Sequence, residues 1–339
     1  MKNSSVLGNK KIALFKLLAG IIMLLQGLNS CNSSVQKNDT ISNTKNSSED
    51  VSGNYVTDDY LKRNEGYDWV AVIVKPKTDS TIIISIRSRI DKKKPTCTFD
   101  AEATRTDNNI YLSDYEGLKI KYVFTADSVT IAALNKVDND RLYFFCSGGA
   151  TIAGSYKKIN EPLDKDQLDP VVFHKLLTLQ NIGFNISSTG EGSIQNLKIQ
   201  PFGLEIDNSE INNEITGIIS NAEIEDLNSD GYPELLIYTV SAGSGSYGNV
   251  IGYSVNNGKS ISQISFPDIM DNPEASDGYM GHDEFYIIET TLVRRFRTYE
   301  DGDINAQPTG KMRQIQYKLK VGENSRQFVI DKIVEYDVD

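Results

Sequence analysis

The sequence of 339 residues has little of several things that site chemistry usually needs. It carries one tryptophan, two histidines and three cysteines. Three cysteines cannot build a disulfide-dense scaffold or a four-cysteine metal site. Two histidines leave little scope for a His-rich metal centre or for several imidazole relays. Basic charge is short as well, with 35 Lys and Arg against 46 Asp and Glu and a net charge of −11. A nucleic-acid binder needs cations that displace counterions from phosphate, so the balance argues against that class of partner. Long amphipathic helical patterns are missing from the whole chain. What is present is ordinary for a globular protein, 39% hydrophobic and 24% charged residues, which rules out wholesale disorder. The length is a prior for two domains. The 25 glycines and 17 tyrosines suggest turns and strands.

Residues 1–30 read as an address. Lys2, Lys10 and Lys11 precede an apolar run from Ile12 to Leu28, broken by Lys16. A basic flank followed by a short apolar core makes a secretory signal, and the core is short for a bilayer-spanning helix. A permanent single-pass anchor is the other reading of the same run. Leu28-Asn29-Ser30-Cys31 resembles a bacterial lipoprotein box, with Cys31 as the lipidated first residue of the mature chain. Acyl chains contribute about 0.8 kcal/mol per buried CH₂, enough for a firm anchor when several are present. Asn32, rather than Asp, follows the cysteine, which points to the outer membrane. Residues 31–52 are Ser, Asn, Thr, Lys and Asp with almost nothing apolar, and read as a tether.

From residue 53 to about 160 the pattern is short strands. Trp69 to Val74 and Thr81 to Ile86 are β-branched runs of strand length. Ile110 to Leu112, Leu118 to Phe124, Ser128 to Ala132 and Arg141 to Cys146 continue the series, with Asp- and Asn-rich turn clusters between them. The expectation is a small β-barrel or sandwich. Gly53-Asn54-Tyr55 is echoed by Gly154-Ser155-Tyr156, which suggests a lipocalin-like barrel closing its first strand on its last. Cys97 and Cys146 lie in this segment, and with Cys31 lipidated they form a pair or stay as two separate buried thiols. The charged stretch Glu161 to Pro170 marks a boundary. Val171 to Gln180 reads as a helix or a strand. Residues 170–339 again read as strands, including Glu234 to Val240, Phe285 to Phe296, Lys311 to Leu319 and Gln327 to Val334. The fold class expected is therefore all-β, an N-terminal barrel or sandwich over 53–160 and a C-terminal β-sandwich over 170–339.

Several motifs invite chemical readings. Gly243-Ser244-Gly245-Ser246-Tyr247-Gly248 fits G-x-G-x-x-G after a strand, but a strand pattern rather than a phosphate-binding helix follows it. Gly258-Lys259-Ser260 lacks the upstream glycine of a P-loop, since Tyr253 stands where it belongs, and hairpin-turn chemistry accounts for it. Asp226-Leu227-Asn228-Ser229-Asp230-Gly231 resembles a calcium loop, with Glu234 as a ninth-position ligand; an Asx-rich turn needs no metal. His282, in Gly281-His282-Asp283-Glu284, is a candidate general base without a clear nucleophile, and His174 in an apolar stretch reads as structural.

One set of blocks occurs in a single order and spacing. It comprises Asp226 to Leu235, Ser241 to Gly248, Tyr253 to Ser260, Gly278 to Phe285, Leu292 to Phe296, Pro308 to Gly310 and Val334 to Tyr336. Together these resemble the periplasmic inhibitors of invertebrate-type (i-type) lysozyme, over most of residues 193–336. The resemblance does not extend to 53–160. It implies a β-sandwich whose loop enters the lysozyme cleft, with a serine and a tyrosine three residues later making the contact. Here these are Ser244 and Tyr247, within the loop Gly243, Ser244, Gly245, Ser246 and Tyr247. The residue types suit that task. A Gly-rich backbone approaches another protein closely, a hydroxyl donates to a carboxylate, and tyrosine is a large anchor with a polar tip.

The expectation is thus a lipid-anchored protein of the bacterial envelope, on the outer membrane and facing the periplasm. It binds and inhibits i-type lysozyme, is not an enzyme, and needs no cofactor and no metal. Its partners are the lysozyme and, through the N-terminal lipid, the membrane. The alternative is a calcium-dependent carbohydrate- or protein-binding module of the envelope. A hydrolase using His282 comes third.

Overall fold

The computed structural model describes residues 50–304, 307–322 and 325–338. The leader, Cys31 and nearly all of the tether lie outside the described residues.

Eight strands come first: β1 Gly53–Val56, β2 Val70–Pro76, β3 Thr81–Ser88, β4 Phe99–Asp107, β5 Ile110–Tyr115, β6 Leu118–Phe124, β7 Ser128–Ala133 and β8 Gly154–Ile159. Each pairs antiparallel with the next, and β1 pairs with β8 through Tyr55↔Lys158 to close a barrel. Alternation drives the closure. In β3, Ile82, Ile84 and Ile86 point inward, while Ile83 and Ser85 are only partly buried. The interior is filled by Val72, Ile84, Ile120, Val129 and Ile131 together with tyrosines. Inside the barrel the tyrosine hydroxyls find partners: Tyr55 donates to the Val51 carbonyl at 2.7 Å, Tyr156 to the Ile152 carbonyl at 2.8 Å, and Tyr122 lies 3.0 Å from Ser113 Oγ. The barrel is therefore a packed core rather than an open cup.

Arg141 to Cys146, expected as a strand, is instead the end of a 3₁₀ segment over Lys136–Phe145. Leu142 and Phe145 are its buried residues. They are three apart, which puts them one above the other on a helix with three residues per turn. Cys146 follows at once and forms a disulfide with Cys97, so the pairing is realised.

Twelve strands follow. They are β9 Val171–Leu179, β10 Ile182–Thr189, β11 Ile194–Phe202, β12 Ile211–Thr216, β13 Ile218–Glu225, β14 Glu234–Val240, β15 Gly248–Asn256, β16 Ser260–Ile264, β17 Glu284–Ile288, β18 Thr291–Arg297, β19 Met312–Val321 and β20 Arg326–Tyr336. They make three four-stranded antiparallel sheets, each a meander of four consecutive strands. The middle sheet is covered on both faces. Leu235 and Ile237 of β14 pack with Phe184, Ile186 and Ile199 of the first sheet. Their neighbours Leu236 and Tyr238 pack with Leu292, Phe296, Ile315 and Tyr317 of the third. A strand buried on both faces needs a continuous apolar run, and Glu234 to Val240 supplies one.

Phe285 to Phe296, expected as one strand, is the β17–β18 hairpin. Its turn residue Glu289 has a φ of 54°, a left-handed conformation without the glycine or asparagine that usually announces it. The open segment Val171 to Gln180 is strand β9. Gln180 and Asn181 both have positive φ and turn it back into β10. The barrel meets the first sheet through Arg87 on β3. Its Nε donates to the Val171 carbonyl at 2.7 Å and its Nη2 to Asp100 Oδ2 at 2.7 Å.

Candidate functional site

The loop Ser241 to Tyr247 joins β14 to β15, at an end of the two middle strands. Its base is closed twice: Ser241 N–H donates to the Tyr247 carbonyl at 2.8 Å, and Tyr247 N–H donates to Ser241 Oγ at 2.9 Å. Between them Ser246 N–H reaches back to the Gly243 carbonyl at 3.3 Å. Ser244 is exposed at the turn, and Tyr247 is 46% exposed.

The segment from Gly278 to Asp283 braces this loop from the third sheet's side. His282 N–H donates to the Gly245 carbonyl at 2.8 Å, and Asp283 Oδ2 accepts from Gly248 N–H at 2.6 Å. The approach is close enough to demand glycine. A Cβ on Gly281 would stand 2.0 Å from the Gly245 carbonyl oxygen, and one on Gly245 would stand 2.4 Å from the Tyr247 ring.

The brace is anchored by a buried ion pair. Asp283 and Arg294 side chains are 0% and 3% exposed, with Nε 2.6 Å from Oδ1. Tyr279 donates its hydroxyl to Asp283 at 2.6 Å and accepts from Arg294 Nη2 at 2.7 Å. The guanidinium lies over the rings of Tyr279 and Phe285, 4.8 and 5.3 Å from their centres. Burial opposes the charge on Arg294, but the Asp283 carboxylate outweighs it and holds the guanidinium firmly protonated. Burial also pushes the Tyr279 hydroxyl well above its usual range. The Tyr279 ring meets Tyr247 edge-on at 5.7 Å. A chain of contacts thus runs from β18 to the exposed tyrosine. Beside Tyr247 opens a cleft of about 530 Å³, lined by Phe266, Ile269, Met270, Tyr279 and Arg294.

All five loop residues singled out from sequence, Gly243 to Tyr247, therefore lie together. Of the bracing residues, Arg294 reads from the sequence as framework or a surface ion pair rather than a contact, and its buried pair with Asp283 makes it framework; Tyr279, Gly281 and Asp283 carry no such reading. The only signal of those three was membership in the Gly278 to Phe285 block. His282 has a φ of 58°, and its ring stacks on Tyr299 at 6.4 Å; the loop uses its backbone N–H, not its imidazole. His174 sits on β9, its N–H donating to Asp100 Oδ2 at 2.8 Å, and burial pushes its imidazole pKa down. Gly258 closes a hairpin turn with Asn257, both at positive φ, and the G-x-G-x-x-G run leads into strand β15.

The residues able to offer oxygens to a cation are Asp226, Asn228, Asp230 and Glu234. Their acceptors are occupied from within. Asp226 accepts from the N–H groups of Asp230 and Gly231 at 3.0 and 2.9 Å, and Asp230 Oδ1 from Tyr232 N–H at 2.9 Å. Glu234 is fully buried and takes Leu227 N–H at 2.9 Å and the Ser254 hydroxyl at 2.6 Å. Burial pushes its carboxyl up to about 7, against the pull of those two donors.

Neither a protein-family model nor a curated protein matches the chain. Solved structures match weakly. An alpha-L-arabinofuranosidase from Lactobacillus brevis aligns at 12% identity over 78% of this chain and 94% of that one, with a TM-score of 0.33. The GH32 beta-fructofuranosidase BmSUC1 of Bombyx mori aligns at 9% identity over 80% of this chain and 60% of that one, with a TM-score of 0.25. Likeness at that level carries no argument about fold or function.

Proposed function

We propose that this protein binds and inhibits i-type lysozyme without catalysing a reaction, by placing the loop Gly243 to Tyr247 in the active-site cleft. The observation that supports the reading most is the brace: an exposed Ser244 and Tyr247 stand on a loop held by hydrogen bonds from two sides and by a buried ion pair beneath. A loop that is already ordered loses little conformational entropy on binding, so more of the contact energy appears as affinity. Glycosidase clefts of this kind present two carboxylates, one of them protonated for acid catalysis. Ser244 offers them a hydroxyl, and Tyr247 fills the adjoining sugar subsite. The proposal includes an envelope location, with Cys31 lipidated on the outer membrane and the folded part facing the periplasm, where it protects peptidoglycan.

The test is an inhibition assay of the mature chain against i-type, c-type and g-type lysozymes. Selective inhibition of the i-type enzyme is expected. Equal indifference of all three would end the proposal.

A further inference from the structure

The cleft beside Tyr247 is not used by the contact assigned to Ser244 and Tyr247. Its volume of about 530 Å³ is ample for a large side chain. Most of its wall is aromatic or aliphatic, and that wall is fixed from behind. Phe266 meets Phe285 at 5.9 Å and Tyr317 at 5.1 Å, and Tyr279 meets Phe296 at 4.8 Å.

The lip facing Tyr247 is the short 3₁₀ turn Ile269–Asp271, followed by one helical turn, Pro273–Ser276. Asp268 caps the first by accepting from Met270 N–H at 2.9 Å, and Asn272 caps the second by accepting from Ala275 N–H at 3.0 Å. Ile269 and Ala275 are buried beneath, and Arg313 Nη1 donates to the Ala275 carbonyl at 3.1 Å. This anchored lip nonetheless holds Met270 out at 64% exposure. Met280, next to Tyr279 in the brace, is 44% exposed. With Tyr247, three large apolar side chains stand exposed around the loop and its cleft. Apolar groups shown to water on an ordered backbone mark an interaction surface, and methionine moulds to what meets it.

Charge narrows the occupant. Between Lys259 and Arg294 the chain has no lysine or arginine. Asp268, Asp271, Glu274 and Asp277 lie in that stretch, all exposed, and Asp268 lines the cleft itself. Arg294, also in the lining, is already matched by Asp283. A second copy of this acidic chain, or any acidic protein, would bring like charge to the lip. The fitting occupant is apolar at its tip and basic around it.

We propose that this cleft receives a large apolar side chain of the same lysozyme, one flanked on the enzyme's surface by lysine or arginine. The inference rests on the reading of the loop as a lysozyme contact and adds a second contact beside it.

Association and dissociation rates on immobilised i-type lysozyme test it, with the mature chain and its variants. Met270→Lys should weaken binding about tenfold or more, and Met270→Leu by no more than about twofold. Asp271→Lys with Glu274→Lys should slow association about fivefold more than Asp140→Lys with Glu161→Lys, an equal change of charge at exposed positions elsewhere. All these side chains are exposed, so melting temperatures should match wild type. Amide shift mapping on the wild type needs no variant: the shifts that lysozyme causes should take in Asn249 and Met270 as well as Gly243 to Tyr247. Failure of the wild type to bind would overturn the loop reading and this inference together. Wild-type binding that Tyr247→Ala weakens but Met270→Lys leaves intact, or shifts confined to the loop, would overturn the inference alone.

Discussion

Asp283 illustrates what a single residue does here. Its carboxylate answers Arg294, Tyr279 and the Gly248 N–H at once, and it is fully buried. Asp283→Asn would leave the Arg294 guanidinium buried and uncompensated, which typically costs 3–5 kcal/mol, about the upper end of single substitutions. Chemical denaturation should show that loss, whereas Glu284→Gln next door, on an exposed side chain, should stay within about 0.5 kcal/mol of wild type. An equal response from both would mean the ion pair does not hold the brace. Glu234 makes a different prediction. Its folded-state pKa of about 7 lies above its ordinary 4.5, so the folded protein holds this proton more tightly than the unfolded chain. Protonation therefore favours folding: the contribution is full below about pH 4.5 and is lost as pH rises to about 7. Stability measured across that window should fall more steeply for wild type than for Glu234→Gln, which has no proton to lose. Superimposable profiles would contradict the assignment.

At the scale of elements, much was legible because period-2 alternation and turn residues carry direct geometric meaning. Thr81 to Ile86 and Glu234 to Val240 are strands where the β-branched and apolar runs indicate them, and Asn257-Gly258 is a hairpin turn because both residues tolerate positive φ. The echoing segments Gly53-Asn54-Tyr55 and Gly154-Ser155-Tyr156 begin β1 and β8, the two strands that close the barrel, but the closing pairs run between Asn54–Val56 and Lys157–Ile159, and Gly154 to Tyr156 pair with β7. Two elements escaped for physical reasons. Lys136–Phe145 buries only Leu142 and Phe145, too few positions to set any period, and its Leu142-Tyr143-Phe144-Phe145 run has the aromatic enrichment of a strand. The β17–β18 turn uses Glu289, whose strained conformation the hairpin pairing enforces. The loop Gly243 to Tyr247 was visible as sequence, but its brace was not, because Asp283 and Arg294 meet only once the third sheet has folded. The disulfide belongs to this scale too. It closes a loop of 49 residues' separation, so losing it should cost about 4 kcal/mol in the chain-entropy account. Thiol titration of the denatured, unreduced mature chain beginning after Cys31 should find no free thiol, and one or two reactive thiols would refute the pairing.

The whole molecule is acidic. Removal of residues 1–30, which carry four lysines and no acid, takes the net charge from −11 to −15. A field of that sign speeds encounter with a basic partner and is screened within about 10 Å at 0.1 M salt. If the proposed inhibition holds, added salt should slow association with lysozyme while leaving dissociation nearly unchanged, since the proposed contact is a hydroxyl and an aromatic ring. The central claim is that Ser244 and Tyr247 make that contact. Buried anchors at the centre of an interface typically cost at least about 2 kcal/mol when truncated, so Ser244→Ala and Tyr247→Ala should each raise the inhibition constant for i-type lysozyme tenfold or more. Neither side chain supports the core, so circular dichroism and melting temperature should match wild type. The direct measurement is the inhibition constant of the three proteins side by side. Two well-folded variants that have lost inhibition are the result the account predicts; two that inhibit as strongly as wild type would contradict it.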